Sequence, residues 1–281
     1  MLYAYCDESK GVSVLRARTI FTALVLLAAS SACGGGGGAP KGGGGQAEPV
    51  PPPEVAFTIA DQGVTEVPDD VRAGPNNLSV TNEGKDKHFP ALVRINDDSS
   101  RQEVGIALAK EDFRTFFLSS AIAGSIVGTT EGNVRPGETA TTTVELIEGE
   151  YLLVDPEAKR FEPGFFRVGP AQDDEVESPE SDYEIAVGEY YIELPKEIAV
   201  GPHTFSLTNE GEQDHEVLVF EKGSEKESAY ALAPVPGATA WVTFDLEAGK
   251  YVVACHFPDV KKGKIGEPHS KLGMRTTITV K

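Results

Sequence analysis

The chain contains one segment twice, and a duplicated segment commits both copies to the same architecture. Pro68, Gly74-Pro75, Ser79, Thr81-Asn82-Glu83-Gly84 and His88 return 127 positions later as Pro195, Gly201-Pro202, Ser206, Thr208-Asn209-Glu210-Gly211 and His215, nine identities across residues 68–92. A second block follows at a shift of 100. Pro136-Gly137 through Val144-Glu145-Leu146 and Gly149-Glu150-Tyr151 pairs with Pro236-Gly237 through Phe244-Asp245-Leu246 and Gly249-Lys250-Tyr251. The two shifts differ by 27, which places an insertion of that length between the blocks of the first copy. The 281 residues therefore divide into homologous domains at 54–170 and 181–281, with an acidic linker at 171–180 carrying Asp173, Asp174, Glu175, Glu177 and Glu180.

Within each copy the pattern is β. Thr204–Thr208 and Thr239–Leu246 alternate polar and apolar residues, as strands with one buried face do. Val217-Leu218-Val219-Phe220 is a continuous apolar run suited to an interior strand. Gly-Pro, Asn-Glu-Gly and Ala-Gly-Lys stretches punctuate the strands. Short strands and turns over about 100 residues describe a small antiparallel sandwich, so the chain is expected to be all-β, two tandem Greek-key β-sandwiches. The insertion differs. Ser100-x-x-Glu103 is a capping-box pattern. Ile106, Ala109, Phe113, Phe116 and Phe117 recur at helical spacing, predicting a helix over 101–119 with those side chains packed on the sandwich.

The N-terminus reads as an address. An uncharged run, Thr19–Ala32, follows Arg16 and Arg18 and ends in Ala28-Ala29-Ser30-Ser31-Ala32 directly before Cys33. Its 14 residues fall short of the roughly 20 that span a bilayer, which is the form of an export signal over 1–32. Small residues before a cysteine resemble a bacterial lipobox, although Ser30 stands where that pattern prefers Leu. The resemblance implies that Cys33 is acylated and begins the mature chain; an ordinary cleaved signal with an incidental cysteine is the alternative. Gly34–Gly38, Gly42–Gly45 and the Pro-rich residues up to Pro53 make 33–53 a flexible tether. The expected location is the cell envelope, on the periplasmic or outer face, with the lipid holding the protein to a membrane. Asp7 and Glu8 do not suit a signal, which leaves Val14 as a candidate start.

Forty-four acidic against 25 basic residues give a net charge of −19, which disfavours nucleic acid as a partner. No Gly-x-Ser-x-Gly, His-Glu-x-x-His, Cys-x-x-Cys or Gly-Lys-Ser/Thr motif is present, so an enzyme is the least favoured class. One constellation does carry chemistry. With Cys33 acylated and Cys6 removed, Cys255 has no disulfide partner, an oxidation hazard outside the cytoplasm unless the thiol is buried or coordinated. His269 and Met274 follow it, and His215 lies upstream after an Asn-Glu-Gly turn. A thiolate, two imidazoles and a thioether are the donor set of a trigonal His2Cys copper site with a weak axial Met. Plainer readings exist: Cys255 as an inert buried thiol, and His215 as a turn histidine like its counterpart His88. His256 adjoins Cys255, so alternation points it to the opposite face; it is structural, or else it replaces His269. His203 matches Asn76 and is expected at the surface.

Gly249-x-Tyr251-x-x-x-Cys255, then Pro268-His269-x-x-x-Gly273-Met274, then a last strand at Thr276–Val280, is similar to the cupredoxins, the plastocyanin and azurin family. The resemblance covers most of 181–281 and, by fold alone, 54–170. It implies one copper ion held by His215, Cys255, His269 and Met274, in an electron-transfer protein whose partner is a redox or copper-handling protein. His269 stands fourteen positions after Cys255 where the family uses a few, so Asp259–Ile265 must loop out and return. The first copy has Asp155 in place of Cys255, and Phe165-Phe166-Arg167 where further ligands would stand. It is expected to be a degenerate cupredoxin-like domain that serves in packing or docking. Five histidines cannot furnish the His pairs of a multicopper oxidase. Cu(I) carriage or buffering, which soft sulfur donors favour, and a metal-free binding module are the other readings.

Overall fold

Period-two patterning becomes twenty short strands in the computed structural model, which describes residues 50–110, 120–125, 133–155, 162–171, 176–224, 226–261 and 264–281. The export signal, Cys33 and the tether up to residue 49 lie outside the described residues. The first copy contributes β1 (Glu54–Ala60), β2 (Gly63–Glu66), β3 (Val71–Arg72), β4 (Gly74–Asn82), β5 (Ala91–Ile95), α1 (Arg101–Ala109), β6 (Ser120–Ser125), β7 (Thr139–Leu146), β8 (Gly149–Val154) and β9 (Gly164–Gly169). The second contributes β10 (Tyr183–Gly188), β11 (Tyr191–Glu193), β12 (Glu197–Ile198), β13 (Gly201–Asn209), β14 (Glu216–Glu221), β15 (Glu227–Leu232), β16 (Thr239–Leu246), β17 (Gly249–Ala254), β18 (Pro258–Lys261), β19 (Lys264–Pro268) and β20 (Arg275–Val280).

The repeat is visible in the strand order. Copy one sets β2-β1-β4-β7 against β3-β9-β8-β5-β6, and copy two sets β11-β10-β13-β16 against β12-β20-β17-β14-β15. In each, the first strand lies parallel to the long strand that ends in the Asn-Glu-Gly turn, Val55 opposite Leu78 and Ile185 opposite Leu207. Alternation then turns Leu78, Val80 and Asn82 inward on β4, and Phe205, Leu207 and Asn209 inward on β13. Phe57, Val80 and Val144 from one sheet of copy one meet Leu92, Leu153 and Phe166 from the other in a single buried cluster.

The join between the copies has no signature in the repeat. β16 and β7 pair edge to edge, Ala240 opposite Val144 and Trp241 opposite Thr143, so two four-stranded sheets merge into one of eight. Each would otherwise present an open edge, and joining covers both. The Thr142 hydroxyl donates to the Trp241 carbonyl at 3.2 Å, and the Thr239 N–H donates to the Glu145 carboxylate at 3.2 Å. Val235, Ala238 and Ala240 of copy two belong to the same buried cluster as Phe57 and Val80 of copy one. Two sandwiches are present, as expected, but they share a sheet and a core.

The insertion begins as predicted, with the Ser100 hydroxyl accepting from the Glu103 N–H at 3.1 Å. The described helix stops at Ala109, and its buried residues are Val104 and Ala107. Ile106, expected in the core, is 45% exposed, because on a helix this short the face that meets the sheet runs through Val104 and Ala107, one turn apart. Phe113, Phe116 and Phe117 lie outside the described residues. The expected excursion after Cys255 is an antiparallel hairpin, β18 with β19, whose base pairs Pro258 with Pro268. That pairing brings the chain back to its departure point.

Candidate metal centre

Strand direction assembles the site. β14, β17 and β20 are neighbours in one sheet, with β17 antiparallel to both. The start of β14, the end of β17 and the start of β20 therefore fall at one end, and His215, Cys255 and Met274 are the residues just beyond those ends. The Cys255 N–H donates to the Met274 carbonyl at 3.2 Å, which extends the β17–β20 ladder by one rung. His269 enters from the hairpin base. Its N–H donates to the Phe257 carbonyl at 2.8 Å, and a single 3-10 turn, His269–Lys271, carries the chain on to Met274. The Met274 N–H donates back to the His269 carbonyl at 2.9 Å, and the Ser270 N–H donates to the Cys255 carbonyl at 2.7 Å. Short backbone bonds thus fix three of the four residues against one another.

The side chains converge. Nδ1 of His269 lies 3.6 Å and Nδ1 of His215 3.9 Å from Sγ of Cys255, and the imidazole centroids are 4.9 Å apart. These three are a group whose potential ligand atoms lie within 4.8 Å of one another. All three, and Met274, are 0% exposed. His256 is exposed and stacks on Phe220 at 5.8 Å, on the other side of the strand end. His203 is half-buried and faces Asp182 at 3.4 Å, apart from the cluster.

Several residues that motif reading passed over hold this geometry. Asn209 is fully buried; its amide donates to the carbonyls of Gln213 and Pro234, both at 3.0 Å, and its oxygen accepts from the Gly211 N–H at 3.0 Å. The Asn-Glu-Gly repeat is therefore a bracket that sets the loop leading to His215. A Cβ on Gly211 would stand 2.6 Å from a Glu189 carboxylate oxygen and 2.8 Å from Nε2 of His215, so only glycine lets these groups approach. Glu189 accepts from the N–H groups of Glu212 and Gln213 at 2.7 and 2.9 Å and faces Nε2 of His215 at 3.5 Å. A carboxylate there favours the proton on Nε2 and leaves the Nδ1 lone pair toward Cys255. The recurring Asn-Glu-Gly announced the bracket, but nothing in the sequence paired Glu189 with His215.

Burial governs the protonation states. It lowers His215 to about 4, with the neighbouring His269 second, and it lowers His269 as well. Both rings are neutral, acceptor-bearing imidazoles near pH 7. Burial raises the Cys255 thiol, with the nearby Glu216 carboxyl adding to the shift. Glu216, itself buried and pushed up to about 8, accepts from the His256 N–H at 2.8 Å.

Copy one closes the equivalent space. Nδ1 of His88 sits 2.8 Å from the Asp155 carboxylate, both side chains 2% exposed, and the Phe89 N–H donates to the same oxygen at 3.2 Å. Asn82 repeats the bracket, donating to Asp86 and Val134 carbonyls and accepting from Gly84. Asp61, accepting from Lys85 and Asp86, repeats Glu189 at 3.8 Å from Nε2 of His88. The scaffold of the site is conserved between the copies, and a direct hydrogen bond fills the place where copy two spreads its donors.

Strand order and the buried His–Cys–His group describe an all-β protein of two sandwiches with a cluster of potential metal ligands, His215, Cys255 and His269, buried at one end of the second. No protein-family model matches the sequence, and no curated protein matches it significantly. Similar solved structures include a dithionite-reduced auracyanin from the photosynthetic bacterium Roseiflexus castenholzii, with 23% identity over 35% of this chain and 94% of that one and a TM-score of 0.28. A reduced rusticyanin matches at 21% identity over 35% and 78%, with a TM-score of 0.25. A blue copper oxidase from Nitrosomonas europaea matches at 14% identity over 81% and 86%, also with a TM-score of 0.25.

Proposed function

We propose that the second sandwich holds one copper ion through His215, Cys255, His269 and Met274, and that the protein is an electron carrier rather than an enzyme. One observation carries the reading, the spacing of the donors. Sγ lies 3.6 and 3.9 Å from the two Nδ1 atoms. A trigonal first-row ion with metal–nitrogen and metal–sulfur distances of about 2.0 and 2.3 Å needs about 3.7 Å between those atoms. A thiolate and two imidazoles with a thioether nearby select copper over the other candidates for such a site. Copper would supply a one-electron couple.

The chain's own residues supply the rest. Backbone bonds among Cys255, His269 and Met274 hold the donors at fixed spacing, so little has to move when charge arrives. Glu189 orients His215, and burial keeps both imidazoles available. Burial of all four residues favours electron exchange over delivery of Cu(I), since delivery requires a ligand to open toward a partner. A metal-free module would instead leave a thiol and two neutral imidazoles buried with little polar compensation. Copper loading of the full chain followed by elemental analysis is expected to give one equivalent that is reduced and reoxidised reversibly. No bound copper, or an ion that cannot be cycled in place, would overturn the proposal. Export and acylation at Cys33 complete it: the carrier sits at a membrane of the cell envelope and meets a redox partner there. Cys33→Ser is expected to release the protein from the membrane fraction, and unchanged sedimentation would contradict the anchor.

A further inference from the structure

The turn between β10 and β11 carries a residue whose conformation the fold alone does not require. Tyr190 has φ +72°, the one non-glycine residue with positive φ among the described residues. Side chains avoid that region, and a bulky residue held there points to a role. Its ring meets His269 edge to face, with centroids 5.7 Å apart at 78°. Its backbone carbonyl lies against Gly273, next to Met274. The inserted hairpin locks the ring from the outside. The Tyr190 hydroxyl donates to Asp259 at 2.7 Å, the Lys261 ammonium donates to that hydroxyl, and the ammonium lies 4.7 Å from the ring centroid. Gln213, two residues before His215, donates to the same Asp259 carboxylate at 3.0 Å, and the Val260 N–H donates to Gln213.

The first copy is a built-in control. Its matching turn, between paired residues Ala60 and Gly63, keeps the carboxylate Asp61 in the place of Glu189 but has Gln62 in the place of Tyr190. Gln62 is not in the positive-φ region. Copy one also has Asp155 in place of the cysteine, and only nine residues, 155–163, between β8 and β9 where copy two has twenty, 255–274, between β17 and β20. The strained tyrosine thus accompanies the donor group, while the rest of the turn accompanies the fold.

We infer that Tyr190 is a positioning residue of the centre: its ring, latched by Asp259 and Lys261, seals His269 and Cys255 so that external ligands and thiol reagents do not enter. A sealed centre exchanges electrons across its cover and binds no substrate, which deepens the proposed function and rests on it only for the copper arm of the test. Glycine suits a left-handed φ, so Tyr190→Gly removes the ring without threatening the turn. Tyr190→Phe keeps the ring and loses the latch hydroxyl.

The first arm needs no metal. The metal-free full chain is treated with iodoacetamide, and the Cys255 peptide is followed by mass spectrometry, so that Cys6 and Cys33 do not contribute. Tyr190→Gly is expected to label at least about tenfold faster than wild type, with Tyr190→Phe restoring most of the protection. Equal rates in wild type and in folded Tyr190→Gly would overturn the inference. In the second arm azide is added to Cu(II)-loaded protein, with an unchanged visible spectrum expected for wild type and a shifted one for Tyr190→Gly. A wild-type spectrum that responds to azide would equally overturn it. If the wild type takes up no copper, the proposed function fails, and the labelling arm still decides whether Tyr190 covers Cys255.

Discussion

Asn209 and Asn82 are the same residue in two settings, and together they separate stability from function. Each buries an amide that satisfies two backbone carbonyls and accepts one N–H. Replacing either with Ala orphans those groups and is expected to cost about 2–4 kcal/mol in denaturant unfolding. Only Asn209→Ala is expected to weaken copper binding, because only its loop carries a proposed ligand; equal copper affinity in the two variants would contradict the bracket's role at the centre. The tyrosines of the Gly-x-Tyr motif act differently. Tyr151 and Tyr251 each donate to the carbonyl four residues upstream, Ile147 and Glu247, at 2.9 Å. Burial pushes Tyr151 up to about 12. The unfolded chain releases that proton near pH 10 and the folded chain holds it, so this contribution is complete below pH 10 and is lost as pH rises through about 12. Alkaline unfolding of wild type and Tyr151→Phe checks this: wild type should lose about 2–3 kcal/mol more than the variant across that window. Parallel curves would contradict the assignment.

At the scale of elements, strand alternation decides which way the two neighbours Cys255 and His256 face. β17 ends at Ala254, and continuing its alternation sends Cys255 inward and His256 outward onto Phe220. His269→Ala is expected to lower copper affinity by orders of magnitude and His256→Ala to leave it within about twofold; equilibrium dialysis decides, and the reverse order would move the ligand to His256. The outward turn of His256 and the meeting of His215, Cys255 and His269 at one end of the sheet were legible in the sequence, because residue type and order along neighbouring strands fix which ends meet. The hairpin's necessity was legible too, since the thirteen residues between Cys255 and His269 had to leave and return. Its second use, in latching Tyr190, was not, for the contact joins Asp259 to a turn 69 residues earlier and depends on a backbone conformation that no motif encodes. The helix shows the opposite failure. Spacing predicted its capped start, yet put Ile106 inside and overlooked Val104, because periodicity names a stripe and only the neighbouring sheet chooses which stripe is buried.

The whole molecule is bound more tightly than a duplicated sequence suggests. The β7–β16 join and the placement of Val235, Ala238 and Ala240 in the first copy's core tie the two sandwiches together. Edge pairing of this kind leaves no trace in local pattern, since both edge strands read as ordinary alternating strands. Fragments 54–170 and 181–281 are therefore not independent bodies, and each cut would expose apolar surface that the partner covers. Calorimetry of the metal-free full chain should show one cooperative unfolding transition; two resolved transitions would mean that the shared sheet contributes little. The claim on which the rest depends is that Cys255 meets copper as a thiolate between His215 and His269. The visible absorption spectrum of the full chain loaded with one equivalent of Cu(II), recorded beside Cys255→Ser, tests it most directly. An intense thiolate-to-copper band in wild type that disappears in Cys255→Ser is the expected result, whereas no such band in wild type, or a band that survives the substitution, would contradict it.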